Sequence, residues 1–112
     1  GFVREMAYTG RRVDSNEANR VGLVNAVYPD QATMLEEVMK VARQIASKAP
    51  LAVYGCKKMI NYARDHSTAD GLDYIAIWNA SMFKPEEIFE AMSANAENRQ
   101  GEFASLPKIK GP

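Results

Sequence analysis

The stretch Ile45-Ala46-Ser47-Lys48-Ala49-Pro50 decides how the chain is built. Before it, from Gln31 to Lys48, apolar residues fall at Met34, Leu35, Val38, Val41, Ala42 and Ile45. That spacing follows one face of a helix, with Glu36, Glu37, Lys40, Arg43 and Gln44 mainly elsewhere. After it, Pro50 suits the first turn of a second helix, where its missing N–H is no loss. This helix, Leu51 to Arg64, is expected to bury Ala52, Cys56, Met59, Ile60 and Ala63 and to leave Lys57, Lys58 and Arg64 in water.

Further helices lie outward on both sides. Ser67, with Asp70 three residues on, is an N-cap signal for a helix from Thr68 to Met82. The middle of that helix, Leu72 to Trp78, is apolar nearly all round and is expected to be covered on more than one side. Lys84-Pro85-Glu86-Glu87 opens a last helix, with its acids placed favourably for the helix dipole, that runs to about Asn98. Towards the N-terminus, Phe2 to Tyr8 is short and amphipathic and stops at Thr9-Gly10. Asp14-Ser15-Asn16-Glu17 reads as a capping box for a short helix, Ser15 to Arg20. Gly22 ends it, and Leu23 to Tyr28 is apolar and β-branched, closed by Pro29-Asp30, which reads as a short strand. The fold class is therefore mainly α, with one or two short strands near residues 11–13 and 23–28. No internal repeat or low-complexity linker divides the chain, and the tail from Gly101 to Pro112 is irregular.

Composition excludes several classes. In 112 residues, 14 basic side chains balance 14 acidic ones, 46% are hydrophobic and 25% charged. Those values are ordinary for a soluble globular protein and unlike a disordered chain, a basic nucleic-acid clamp or a polybasic membrane binder. No apolar run approaches the ~18 residues of a membrane helix. The opening Gly1-Phe2-Val3-Arg4-Glu5 carries charges where the apolar core of a signal peptide would lie. One cysteine makes no internal disulfide and fits a reducing compartment, cytoplasmic in a bacterium, and not a secreted protein. The chain does not begin with Met, and its length suits one domain or a piece of a larger protein.

Few side chains suggest chemistry. His66 lies in a helix junction, Arg64-Asp65-His66-Ser67, and reads as a junction residue ahead of a general base, since no nucleophile is near it in sequence. Cys56 lies on the apolar stripe of its helix and reads as core ahead of a reactive thiol. With one His and one Cys, no metal set is expected. The carboxylates Glu36, Glu37, Glu86 and Glu87 sit on wet faces or in first turns. Asn95 is placed on the same face as Ile88, Phe89, Met92 and Ala96. Its amide there either bonds neighbouring backbone or faces a ligand groove or subunit interface. Six methionines, with Trp78, Phe83 and Phe89, supply adaptable apolar surface.

Four segments in order carry a family resemblance. Ala7-Tyr8-Thr9-Gly10 leading to Asp14-Ser15-Asn16-Glu17-Ala18, then Gly22-Leu23-Val24-Asn25-Ala26-Val27-Tyr28-Pro29, then Ile45-Ala46-Ser47-Lys48-Ala49-Pro50 with Lys57 or Lys58, and finally Asn98-Arg99-Gln100-Gly101-Glu102-Phe103 resemble the C-terminal part of the enoyl-CoA hydratase/isomerase (crotonase) superfamily. Tyr62 to Ser67, Leu72 to Ala76, Trp78 to Met82 and Ser93 to Asn98 are similar to its dienoyl-CoA isomerase branch. The resemblance implies proton removal beside a thioester, with two backbone N–H groups holding the enolate oxygen. Those groups belong to a core preceding the segments matched here, so no catalytic residue carries over. It implies that residues 1–29 end the crotonase core, that 30–99 form a helical cap and trimerisation layer, and that 100–112 are an irregular tail. Asn95 and Asn98 stand where hydratases place a Phe and a Lys against coenzyme A, and are candidate CoA contacts. No cofactor is implied beyond the CoA thioester as substrate. The implied partners are the preceding core and further copies, in a trimer or hexamer, with no nucleic acid and no membrane span. Two readings follow: a C-terminal fragment of a β-oxidation isomerase or hydratase, inactive alone, or a stand-alone helical oligomerisation module.

Overall fold

The computed structural model describes residues 1–108. Six helices form: α1 (Phe2–Thr9), α2 (Ser15–Arg20), α3 (Gln31–Ala46), α4 (Pro50–Asp65), α5 (Thr68–Met82) and α6 (Pro85–Ala96). The helical reading holds, and the division into helices follows the expected breaks. The last helix stops two residues early, at Ala96. The irregular tail also holds to Lys108, and its remainder, residues 109–112, lies outside the described residues.

The chain falls into two compact units, Gly1–Lys40 and Val41–Pro112, with the division inside α3. In the smaller unit α1 ends on Gly10, whose φ of 63° lets its N–H reach the Met6 carbonyl. Arg11 then turns back. Its guanidinium meets both oxygens of Glu17 at 2.9 Å, donates to Glu5 at 3.0 Å and lies 5.3 Å above the Phe2 ring. A two-pronged pair of this kind fixes geometry as well as charge. Asp14 caps α2 by accepting the Glu17 N–H at 2.8 Å. The reciprocal half of the expected capping box is absent, because the Glu17 carboxylate is committed to Arg11.

The expected short strands do not form among the described residues. Residues 11–14 and 26–28 carry no ladder. Leu23 and Val24 instead donate to the Ala18 carbonyl at the end of α2, at 2.8 and 3.4 Å. A strand requires a partner strand for its backbone groups, and β-branched residues alone do not supply one. Asp30 starts α3 by accepting from the Thr33 N–H at 2.8 Å and from its hydroxyl at 3.0 Å.

In the larger unit α4 and α5 form an antiparallel pair, the one extensive helix-on-helix contact among the described residues. Pro50 starts α4 after the N-cap Ala49. His66 ends it, its Nδ1 2.8 Å from the Tyr62 carbonyl and its ring stacked on Tyr62 at 3.6 Å. Ser67 and Asp70 then form the full capping box that opens α5. Along the seam Tyr62 meets Tyr74 at 4.6 Å, Tyr54 meets Trp78 at 5.8 Å, and Trp78 lies directly on Gly55.

The face of α4 in this seam differs from the expected one. Gly55 is its buried residue, while Cys56 is exposed and Ile60 is 70% exposed. The stripe of Ala52, Cys56 and Ile60 is real, but α5 packs beside it, because aromatic rings and a glycine allow a closer approach.

Very little is buried. Among the described residues Ala18 and Ala94 are the buried hydrophobic ones, α3 buries none, and Met34, Leu35, Val38, Val41 and Ile45 are all exposed. The chain exposes 9487 Å².

Gly55→Ala tests the seam. A Cβ there would stand 2.7 Å from the Trp78 Nε1 and 2.9 Å from Cε2. Overpacking outweighs the better helix propensity of Ala, and the variant is expected to lose about 1–2 kcal/mol in thermal or urea melts followed by circular dichroism. Adding Trp78→Leu should abolish that penalty, which a double-mutant cycle would register.

Candidate functional site

The candidate site lies at the end of α6 and begins with how that helix is held. Pro85 occupies its first turn, and Lys84 pairs with Glu87 at 3.5 Å. Ala94 is 4% exposed and half-buried Glu87, Glu90 and Ser93 flank it, whereas Phe89 is 70% and Met92 65% exposed. The inward face is thus polar and small, and the large apolar side chains point away from it.

Beyond Ala96 the chain closes α6 with a Schellman motif. The Arg99 N–H bonds to the Ala94 carbonyl at 2.9 Å and the Asn98 N–H to that of Asn95 at 3.3 Å. This requires a left-handed residue between them, and Asn98 takes that place with φ 51°. Asn is the side-chain-bearing residue that tolerates this conformation best. Asn98, singled out as a ligand contact, therefore has a backbone duty as the helix stop.

Asn95 is exposed, and its amide makes no side-chain hydrogen bond among the described residues. It opens on a groove of about 370 Å³ lined by Ser47, Lys48, Ala49 and Ala52 from the α3–α4 turn and the start of α4, by Ala91 and Ala94 from α6, and by Arg99 to Gly101 and Phe103 from the tail. Among the described residues the amide is therefore not bonded to neighbouring backbone, and it borders this groove. Arg99 closes one end. It donates to Glu90 at 2.5 and 3.1 Å and to Glu97 at 2.6 Å, and Glu90 also accepts the Glu102 N–H at 2.8 Å. The Arg99 guanidinium, then the Glu102 amide, hold the Glu90 carboxyl down at about 2. Arg99 likewise draws Glu97 below the usual carboxylate range, helped by the Ser93 hydroxyl. Arg99 is thus committed to carboxylates, and Lys48 is the cation at the groove with no ion pair among the described residues.

The other candidates lie apart. His66 is the junction residue expected. Cys56 lies in a shallow apolar groove with Ile45, Val53, Lys57 and Ile60, and is not the core residue its stripe implied. Among the described residues no three His, Cys, Asp or Glu side chains gather as for a metal. No helix is long and apolar enough to cross a membrane. Glu90 and Arg11 escaped sequence reading. The available signal was an Arg shortly after an acid-bearing helix, Glu5 before Arg11 and Glu90 before Arg99.

Comparison with known proteins places this arrangement. The enoyl-CoA hydratase/isomerase family matches residues 1–106. The chain belongs to that family. It is 37% identical over 108 residues to the mitochondrial Delta(3,5)-Delta(2,4)-dienoyl-CoA isomerase of Homo sapiens, covering 96% of this chain and 33% of the relative. The corresponding enzyme of Dictyostelium discoideum is 42% identical over 100 residues, covering 89% and 34%. The carnitinyl-CoA dehydratase of Salmonella arizonae is 34% identical over 106 residues, covering 91% and 40%. Among solved structures, the enoyl-CoA hydratase EchA1 of Mycobacterium marinum superposes with a TM-score of 0.77 at 24% identity, over 91% of this chain and 40% of its own, which shows a shared fold. The family member described here thus spans about a third of the length of the dienoyl-CoA isomerases it resembles.

Two outcomes check this site. Asn98→Val forces a β-branched residue into the left-handed region and should cost about 1–2 kcal/mol, with faster hydrogen exchange at the Asn98 and Arg99 amides, whereas Asn98→Gly should leave both unchanged. A carboxyl held low in the folded state lends stability that is complete above its unfolded value and is lost as pH falls. The Glu90 clasp should therefore be intact at pH 5 and loosen between about 4.5 and 2, read from the Glu102 amide by NMR titration.

Proposed function

We propose that this chain is the C-terminal helical part of an acyl-CoA isomerase or hydratase, dienoyl-CoA isomerase-like, acting in fatty-acid β-oxidation. In that reading residues 1–29 complete the preceding core, 30–99 cover the acyl-CoA site and join subunits into a trimer or hexamer, and 100–112 form the tail. The observation that carries the reading is the pairing of relatives three times longer with helix faces left uncovered among the described residues. The bare apolar side chains are spread over α3, α4, α5 and α6, so a single small patch-to-patch contact does not cover them.

Asn95, with Lys48 at the same groove, is the candidate contact to the CoA portion of a thioester substrate. An uncommitted amide and an uncommitted ammonium suit a nucleotide bearing phosphates. Asn98 remains the second candidate contact from the family resemblance, next to the groove-lining Arg99 in sequence. No cofactor beyond the thioester substrate is invoked, and the lone exposed Cys56 suits a reducing compartment.

The 112-residue chain assayed alone on dienoyl-CoA and enoyl-CoA is expected to show no specific turnover. A chimera in which it replaces the matching third of the human isomerase is expected to be active, with Asn95→Asp raising KM for the thioester more than it lowers kcat. Specific turnover by the chain alone would overturn the proposal, as would a folded, assembled chimera with no activity.

A further inference from the structure

The tail beyond α6 makes contacts that ending the helix does not require. Glu90 grips it twice, at the Arg99 side chain and at the Glu102 backbone three residues further on. Just past that point Phe103 lays its ring over Gly101. A Cβ on this glycine would stand 2.6 Å from two ring carbons, so only glycine leaves room for the ring. Phe103 lines the Asn95 groove beside Ser47, Ala49 and Ala52. Leu106 lines a second groove, of about 330 Å³, with Ile45, Pro50 and Val53. Lys48 borders both grooves, so the tail crosses the α3–α4 turn with one apolar side chain in each. Past Glu102, among the described residues, no hydrogen bond fastens it.

We propose that residues 99–106 are a releasable strap, buckled at Glu90, that clamps the Ser47–Pro50 turn and forms one wall of the Asn95 groove. The buckle is partly exposed and so screened by water, and the two apolar anchors are only half-buried or less. Fastenings of that strength open without unfolding the helices they cross. Release removes the Phe103 wall and widens the groove, while the seam of Gly55 and Trp78 stays closed because it involves neither Glu90 nor the tail. The proposal rests only on contacts inside the chain and stands whether or not the groove meets CoA.

Hydrogen exchange followed by mass spectrometry on the full 112-residue chain tests it with two variants. Gly101→Ala keeps every charge and evicts the ring; Glu90→Gln keeps the shape and removes the charge. The informative amides are those of Ser47, Lys48 and Val53, which bond to Arg43, Ile45 and Ala49. Either variant is expected to speed exchange about tenfold at these amides and in 99–106, and to leave 56–80 unchanged. Faster exchange confined to 99–106 in both variants would overturn the proposal, showing a tail that rests on the turn without clamping it. A matching rise across 56–80 would overturn it too, showing general support in place of a strap.

Discussion

Trp78 lies against the backbone of Gly55, and the larger unit is arranged around that contact. A glycine on one helix admits an indole from the next, and the closeness sets which faces of α4 and α5 meet. The tilted ring pairs Tyr54–Trp78 and Tyr62–Tyr74 line the same seam. Once these faces are committed, the aliphatic stripe of α4 through Ala52, Cys56 and Ile60 must look outward. The turn before Pro50 then presents Lys48 to the groove in which Asn95 stands.

The same constraint acts on every helix. An amphipathic helix owes most of its stability in water to covering its apolar face. Here α3 carries five large aliphatic side chains on one face and buries none of them, and Phe89 and Met92 of α6 point away from their own unit. Burial so slight leaves little to offset the entropy of ordering some 100 residues, roughly 1–2 kcal/mol for each backbone. The one full capping box, at Ser67 and Asp70, and the exposed ion pairs fix local geometry and cover no apolar face. The helices are well specified locally, and their apolar faces are largely uncovered among the described residues.

How far the sequence foretold this varies with the physics involved. Helix starts were legible because capping is local: Ser67 with Asp70 and Pro50 after Ala49 all act as read. The family was legible because its short segments recur in order. Strand formation was not legible, since Leu23 to Tyr28 has strand composition but a ladder depends on a distant partner. Cys56 was misplaced for a related reason. Periodicity finds an apolar stripe but does not say whether its cover lies within the same residues. Asn98 had a signal in plain view, an Asn two places past a helix end, which hides in sequence because the positive φ belongs to the backbone. The Glu90 clasp joins residues nine and twelve apart through a turn whose path only coordinates reveal.

Local specification and uncovered apolar faces together have consequences that need no ligand to test. Sedimentation of the 112-residue chain over a range of concentrations, with an apolar-surface dye added in parallel, addresses them directly. Self-association that deepens with concentration, together with strong dye binding by the least associated form, is the predicted result. A clean monomer at all concentrations that binds no dye would contradict it.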